Sequence, residues 1–241
     1  MALSVIIPAY NEEGRVGKTI DIISAYLLRQ SYTYEIVVVN NGSTDRTAEV
    51  VRQKMGTVPH LLLMEEDGVG KGDAVRAGML GTTGAIRLFT DADNSTDISH
   101  VEKMWPLFER GYEVVICSRD AKDAKGAHQA VSQVWFKRQL GNMGNLFIQI
   151  MAVPGIWDTQ CGFKAFRAEA AERIFSQMRI QKFGFDVEAL ALARFLGYRI
   201  GIVPAYWVND VFSHVSLKSY LEVLWEVVRV RWNFIRSRYT K

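Results

Sequence analysis

Positions 91–97 read "DADNSTD", directly after the mostly apolar run "AIRLFT". Carboxylates at Asp91 and Asp93, one small residue apart, are the oxygen donors that a hard divalent cation takes. Asp, Asn and Ser also satisfy their own backbone in tight turns. The cluster alone fits both chemistries, so its neighbours must decide. Four further polar clusters close apolar runs in the same way: "PAYNEE" at 8–13, "NNGSTD" at 40–45, "EEDGVGKGDA" at 65–74 and "SRDAK" at 118–122. In the third, Lys71 and Gly72 stand in a glycine-rich turn before a helix, where an ammonium and backbone N–H groups suit a diphosphate. A solvated lysine is the plainer alternative.

Periodicity identifies the elements that must carry these clusters. "SVIIPA", "YEIVVVN", "HLLLMEE", "AIRLFT" and "EVVICS" are short, mostly apolar runs of the kind that form buried strands. Amphipathic stretches separate them. The first carries Val16, Ile20, Ile23 and Leu27 at helical spacing, and further helices are expected over about 44–55 and 74–80. This alternation predicts an α/β fold with a mainly parallel central sheet and helices on both faces. Ligands bind such sheets beyond the carboxyl ends of the strands. All five clusters are therefore expected on one rim, and the turns at the opposite ends (57–59 and 81–84) carry little comparable chemistry. The asymmetry favours the metal reading of Asp91 and Asp93. Two common nucleotide motifs fail on residues: no G-x-G-x-x-G follows the first strand, and "GVGKGD" lacks the earlier glycine and the hydroxyl of a P-loop.

Taken together, "VIIPAYNEE", "GKGDAVRAG", "TDADNSTD", "SRD" and "DTQCGFKAFR" resemble the family 2 glycosyltransferases of the GT-A (Rossmann-like) fold. Among these, the dolichyl- and polyprenyl-phosphate glycosyltransferases are most similar, near the dolichyl-phosphate β-glucosyltransferases. The resemblance runs from Ser4 to about Val208. It implies inverting, metal-dependent transfer of a hexose, glucose from UDP-glucose, to a polyprenyl or dolichyl phosphate, with a β-linked product. It makes Asp91-Ala92-Asp93 the D-x-D motif, with Mg²⁺ or Mn²⁺ held by Asp91 and Asp93, and places Pro8, Ala9, Tyr10 and Glu12 in the nucleotide-binding first loop. It also implies that Arg119, and Arg138 in "FKRQLGN", bind the acceptor phosphate, and that Asp158 positions the acceptor or the sugar. Plain packing is the alternative for Pro8 and Tyr10, and solvation for the arginines. Asn40 departs from the family, which usually has Asp there as an acceptor from the base. Asn keeps an acceptor oxygen, gains a donor and loses the charge, so the preference for uracil over guanine stays open. Asp186 and Glu188, in "GFDVEAL", read as caps of the following helix. Rival readings keep the fold and change the donor to GDP-mannose or a UDP-N-acetylhexosamine, or the acceptor to another lipid. More distant rivals are a non-catalytic sugar-nucleotide-binding scaffold and a nucleotidylyltransferase.

The chain has 241 residues, 49% hydrophobic and 23% charged, enough for one large α/β domain or two small ones; the resemblance implies a single glycosyltransferase domain over 1–215. A net charge of +3 gives no case for nucleic acid. Cys117 and Cys161 lie far apart, and His60, His100, His128 and His214 are scattered, so two reduced thiols and no zinc site are expected. "MALSVIIPAY" has no basic region ahead of its apolar run and reads as a first strand. No run approaches the ~20 apolar residues of a membrane span. The remainder, 216–241, reads as an amphipathic helix with a stripe of Leu221, Trp225, Val228, Trp232 and Ile235. Glu222, Glu226, Arg229 and Arg231 interrupt the run, and Arg236, Arg238 and Lys241 add positive charge at its end. Two destinations suit it: the cytoplasmic face of a membrane, making the protein peripheral, or packing against its own domain or a second subunit of a homo-oligomer.

Overall fold

The computed structural model describes residues 3–129, 135–207 and 217–241. The first five strands are β1 (Leu3–Ala9), β2 (Tyr34–Asn40), β3 (Leu61–Glu65), β4 (Ile86–Thr90) and β5 (Val114–Ser118). The helices between them are α1 (Val16–Leu27), α2 (Thr47–Met55), α3 (Lys71–Gly81) and α4 (Val101–Glu109). α2 begins three residues later than periodicity suggests, because Asp45 turns back to accept the Thr47 N–H at 2.9 Å. A short pair, β6 (His128–Gln129) and β9 (Tyr206–Trp207), forms a separate parallel sheet. The second half supplies α5 (Trp135–Met151), β7 (Phe163–Arg167), α6 (Ala168–Phe175), α7 (Phe185–Phe195), β8 (Ile200–Pro204) and α8 (Leu217–Ile235).

The main sheet has seven strands in the order β3-β2-β1-β4-β7-β5-β8. All run parallel except β7, which lies antiparallel between β4 and β5 with Thr90 opposite Phe163. The carboxyl ends of β1 to β5 therefore share one rim. β7 also brings the start of its own chain there, so the "DTQCG" segment enters the sheet beside the acidic cluster.

Alternate strand residues feed two cores. Val5, Ile7, Ile36, Val38, Leu88 and Val115 pack against α1 and α4 on one face. Ile6, Val37, Val39, Phe89 and Phe166 pack against α3, α6 and α7 on the other. α8 joins this second core through Val223, Val227 and Val230, and the tail adds Tyr239. Trp225, Trp232, Leu221 and Ile235 stay on the outside. The helix thus has two apolar faces, one packed on its own domain and one turned outward. The boundary at 215/216 lies outside the described residues.

Candidate active site

The ends of β1, β2, β3 and β4 open onto a cleft of about 750 Å³. Pro8 and Ala9 line it from the end of β1, Tyr10 and Glu12 from the loop that follows, Gly70 and Lys71 from the start of α3, and Asp91, Ala92 and Asp93 from the loop after β4. Lys182 and Phe183 close one side, and Glu222 of α8 reaches the same space. Gly72 lies beneath the wall: a Cβ there would stand 2.7 Å from the carbonyl oxygens of both Ile180 and Gln181. Only glycine lets the start of α3 press so closely on the 180–184 segment.

Asn40 is buried and does not line the cleft. Its amide donates to Glu65 Oε2 at 2.6 Å, and its own oxygen has no partner. Asn41 does line the cleft, also buried, with its amide oxygen unpartnered. Of the two neighbours, Asn41 is the one offering an acceptor to a ligand.

The D-x-D segment is both a turn and a cluster of oxygen donors. Asp93 Oδ1 accepts the Ser95 N–H at 2.9 Å, and Asn94 takes the left-handed conformation at φ 52°. Asp91 is held differently. Its Oδ1 lies 2.5 Å from Lys71 Nζ, and its carboxylate rests on Gly162, where a Cβ would come within 2.0 Å of Oδ2. Burial works against the Lys71 ammonium, but the carboxylates of Asp91 and Asp186 outweigh it and raise its pKa above lysine's ordinary value. Burial raises Glu12, and Arg15, bound at 2.6 and 2.8 Å, offsets part of that rise.

A second centre stands further along the rim, where β5 ends. Arg119 Nε and Nη2 donate to the two oxygens of Asp158 at 2.7 and 2.8 Å, and the Arg119 backbone N–H adds a third bond at 2.8 Å. Burial opposes charge on Asp158, yet Arg119 holds its carboxyl below the usual carboxylate range. The Trp207 ring lies 5.3 Å from the guanidinium. Asp123 fixes the loop by accepting from the backbone of Trp157 and Asp158 and from Ser118 Oγ, each at 2.8 Å. Arg138 belongs to the first turn of α5, and its side chain lies outside the described residues.

Between the two centres is a group that patterning does not show. Lys164, the second residue of β7, is wholly buried, with Nζ 2.6 Å from Asp186 Oδ1 and 2.5 Å from the Cys161 carbonyl oxygen. Asp186 is therefore a buried ion-pair partner, its pKa raised by burial, and not a helix cap. Glu188 is likewise turned inward, accepting the N–H of Ile180 at 2.8 Å and the Tyr239 hydroxyl. A buried charged residue within a strand and its partner 22 positions away leave no local signal.

The sequence profile of the glycosyl transferase family 2 matches residues 4–175. The chain belongs to the family 2 glycosyltransferases. It is 33% identical to a dolichyl-phosphate β-glucosyltransferase of Dictyostelium discoideum, over 97% of this chain and 75% of that protein. The human protein of the same name is also 33% identical, over 98% and 75% of the two chains. Among solved structures, glucosyl-3-phosphoglycerate synthase from Mycobacterium tuberculosis, with Mn²⁺, UDP and phosphoglyceric acid, superposes with a TM-score of 0.71. It is 18% identical, over 100% of this chain and 80% of that one, a likeness of fold. This chain is a glycosyltransferase of GT-A fold, and the cleft and the Arg119–Asp158 pair lie at the carboxyl ends of its parallel strands, the edge at which open α/β sheets bind ligands.

Proposed function

We propose that this glycosyltransferase moves glucose from UDP-glucose to the phosphate of a dolichol-type polyprenol, with inversion, giving a β-linked lipid-phosphate sugar. The relatives' shared name supports the acceptor and the sugar. The observation that carries the reading is the pairing of two unlike charged centres on one rim: an acidic cleft with a lysine for the nucleotide sugar, and an arginine-based centre for a second phosphate.

The donor cleft suits a divalent cation such as Mg²⁺ or Mn²⁺. Asp91 and Asp93 are hard oxygen donors, Gly162 leaves room for the Asp91 carboxylate, and Lys71 already sets a cation on it. Among the described residues no three His, Cys, Asp or Glu side chains form a closed metal site, and an ion shared with a diphosphate needs none. Such an ion, when bound, supplies charge neutralisation for the departing nucleoside diphosphate. Lys71 and the N-terminus of α3 face the same phosphates. The Asn41 oxygen offers the base an acceptor.

Arg119 binds the acceptor phosphate, with Asp158 keeping the guanidinium oriented. Arg138 is assigned to the same phosphate from α5. Asp158 is not a general base in this scheme, since its carboxylate is engaged with Arg119 and its pKa is low. None is required: a phosphate monoester is already anionic near neutral pH, with a second pKa of about 6. Catalysis then rests on alignment of donor and nucleophile.

The acceptor's prenyl chain calls for a membrane surface. No helix among the described residues is long and apolar enough to cross a membrane, but the outer face of α8 suits its boundary. Trp225 is 64% and Trp232 51% exposed. Both glutamates of the helix turn toward the domain, Glu222 to Lys182 at 3.7 Å and Glu226 to the Gly184 N–H at 2.8 Å. Among the described side chains of α8 and its tail, the exposed charges are Arg229, Arg231, Arg236, Arg238 and Lys241, all basic. Against anionic lipid each is worth about 1 kcal/mol. The variant Trp225→Ala/Trp232→Ala is expected to keep its melting temperature and lose sedimentation with phosphatidylserine vesicles. Unchanged sedimentation would remove the membrane from the scheme. The donor is tested by titration with UDP-glucose and GDP-mannose, and the stereochemistry by the anomeric proton coupling of the product. Preferential binding of GDP-mannose, or an α-linked product, would overturn the proposal.

A further inference from the structure

Lys71 and a divalent cation have claims on the same atom. The ammonium lies 2.5 Å from Asp91 Oδ1, in a pair whose side chains are 25% and 32% exposed. The neighbouring carboxylates are also engaged: Glu12 holds Arg15 through both oxygens, and Asp93 Oδ1 is bonded to the Ser95 N–H. A free cation reaching Asp91, Asp93 or Glu12 therefore meets a carboxylate that already has a partner. A nucleoside diphosphate changes this, because it brings its own negative charge within reach of Lys71. A lysine suits such a change of partner. Its ammonium is a compact point charge on a flexible stem, not a planar fork tied to one geometry. The carboxylate it would leave stays in position, since Asp91 is backed by Gly162 and its N–H donates to the Gly162 carbonyl at 3.2 Å.

Resting on the reading of Asp91 as a metal carboxylate, we propose that Lys71 is a built-in counter-ion that masks Asp91 until a nucleoside diphosphate draws it away. Metal and nucleotide then bind as a coupled pair, and metal alone binds weakly. Linkage makes the coupling reciprocal: the factor by which the nucleotide tightens the metal equals the factor by which the metal tightens the nucleotide. Part of that factor comes from removing the lysine as a competitor. Deleting the ammonium should thus have effects of opposite sign on the two ligands, which a general loosening of the cleft would not produce.

The experiment is a titration of the full chain with Mn²⁺, followed by electron paramagnetic resonance, with and without saturating UDP. Wild type is compared with Lys71→Met, and with Lys71→Gln should the first not fold. UDP alone is titrated by calorimetry. In the absence of nucleotide, the folded variant is expected to bind Mn²⁺ at least about tenfold more tightly than wild type, the scale of one charge-assisted contact. Its affinity for UDP without metal should fall, and the coupling factor should shrink. UDP-dependent Mn²⁺ binding in wild type, with unchanged or weaker Mn²⁺ binding in the variant, would overturn the masking role and leave the metal site standing. No Mn²⁺ binding to wild type even with saturating UDP would overturn the metal reading, and the masking role with it.

Discussion

The two ion pairs on the rim, Lys71–Asp91 and Arg119–Asp158, differ in construction. The first is a single 2.5 Å contact between a flexible lysine and a partly exposed carboxylate. The second is a fork of two side-chain bonds reinforced by a backbone N–H, with the Asp158 side chain only 9% exposed. One can open at little cost. The other is fixed, because separating its charges would leave a buried carboxylate without its counter-ion. We read the difference as functional: the donor side must exchange partners each time a nucleotide sugar enters, whereas the acceptor side must hold one guanidinium in place for an incoming phosphate.

The largest effect should come from the donor carboxylates. Asp91→Asn and Asp93→Asn are each expected to reduce transfer below detection while melting temperature stays near wild type. Wild-type turnover in either variant would break the donor half of the comparison. Stability separates the two pairs next. Asp158→Ala strands the Arg119 guanidinium and should cost ~3–5 kcal/mol in urea unfolding, whereas Lys71→Met should cost about 1 kcal/mol or less. Equal costs would mean that the pairs are not built differently. Arg119→Lys keeps the charge and loses the fork. It should raise the KM for lipid phosphate about tenfold, with donor affinity unchanged, in steady-state kinetics.

The smallest effect is one of pH. His100 Nε2 accepts the Tyr206 N–H at 3.0 Å, next to the Trp207 that lies against Arg119. Burial lowers its pKa below the ordinary 6.5, so the folded protein favours the neutral ring. The stability it contributes is complete above 6.5 and is lost as pH falls from there through the lower folded-state value. Asp158, also lowered, keeps its contribution above the ordinary 3.8 and loses it only as pH falls through its still lower folded value. Mild acid should therefore loosen the Tyr206–Trp207 strand before it touches the Arg119–Asp158 pair. In His100→Gln the weak stability slope just below pH 6.5 should vanish, and its persistence would assign the slope to another group.

The parallel half of the fold was legible because β1, β2, β4 and β5 are buried on both faces and read as near-continuous apolar runs. β7 was not. "FKAFR" carries Lys164 as its second residue, and only the fold shows that Asp186 neutralises it. The rim also followed from strand direction, which brought Asp91, Asp93, Lys71 and the first loop together around the cleft. Which of Asn40 and Asn41 faces that cleft did not follow. Adjacent residues at a strand end point to opposite sides, and Asn40 is turned onto Glu65 by a cross-strand bond. α8 was legible as amphipathic but not as two-faced, since Val227 and Val230 on the inner side and Trp225 and Trp232 on the outer side are equally apolar in the sequence. The 180–184 segment, which presses on Gly72 and is held from α8 by Glu226, left no local mark at all.

The central claim is transfer of a sugar from a nucleotide to a lipid phosphate at this rim, and it is tested most directly by following the label. The full chain would be incubated with UDP-[¹⁴C]glucose and dolichyl phosphate in phosphatidylserine-containing vesicles, with Mn²⁺ or with EDTA. The account predicts label in the organic phase as an acid-labile lipid, formed with Mn²⁺ and not with EDTA, and absent with Asp93→Asn. Label that stays in the aqueous phase with folded wild-type protein, or lipid product that forms equally in EDTA, would contradict it.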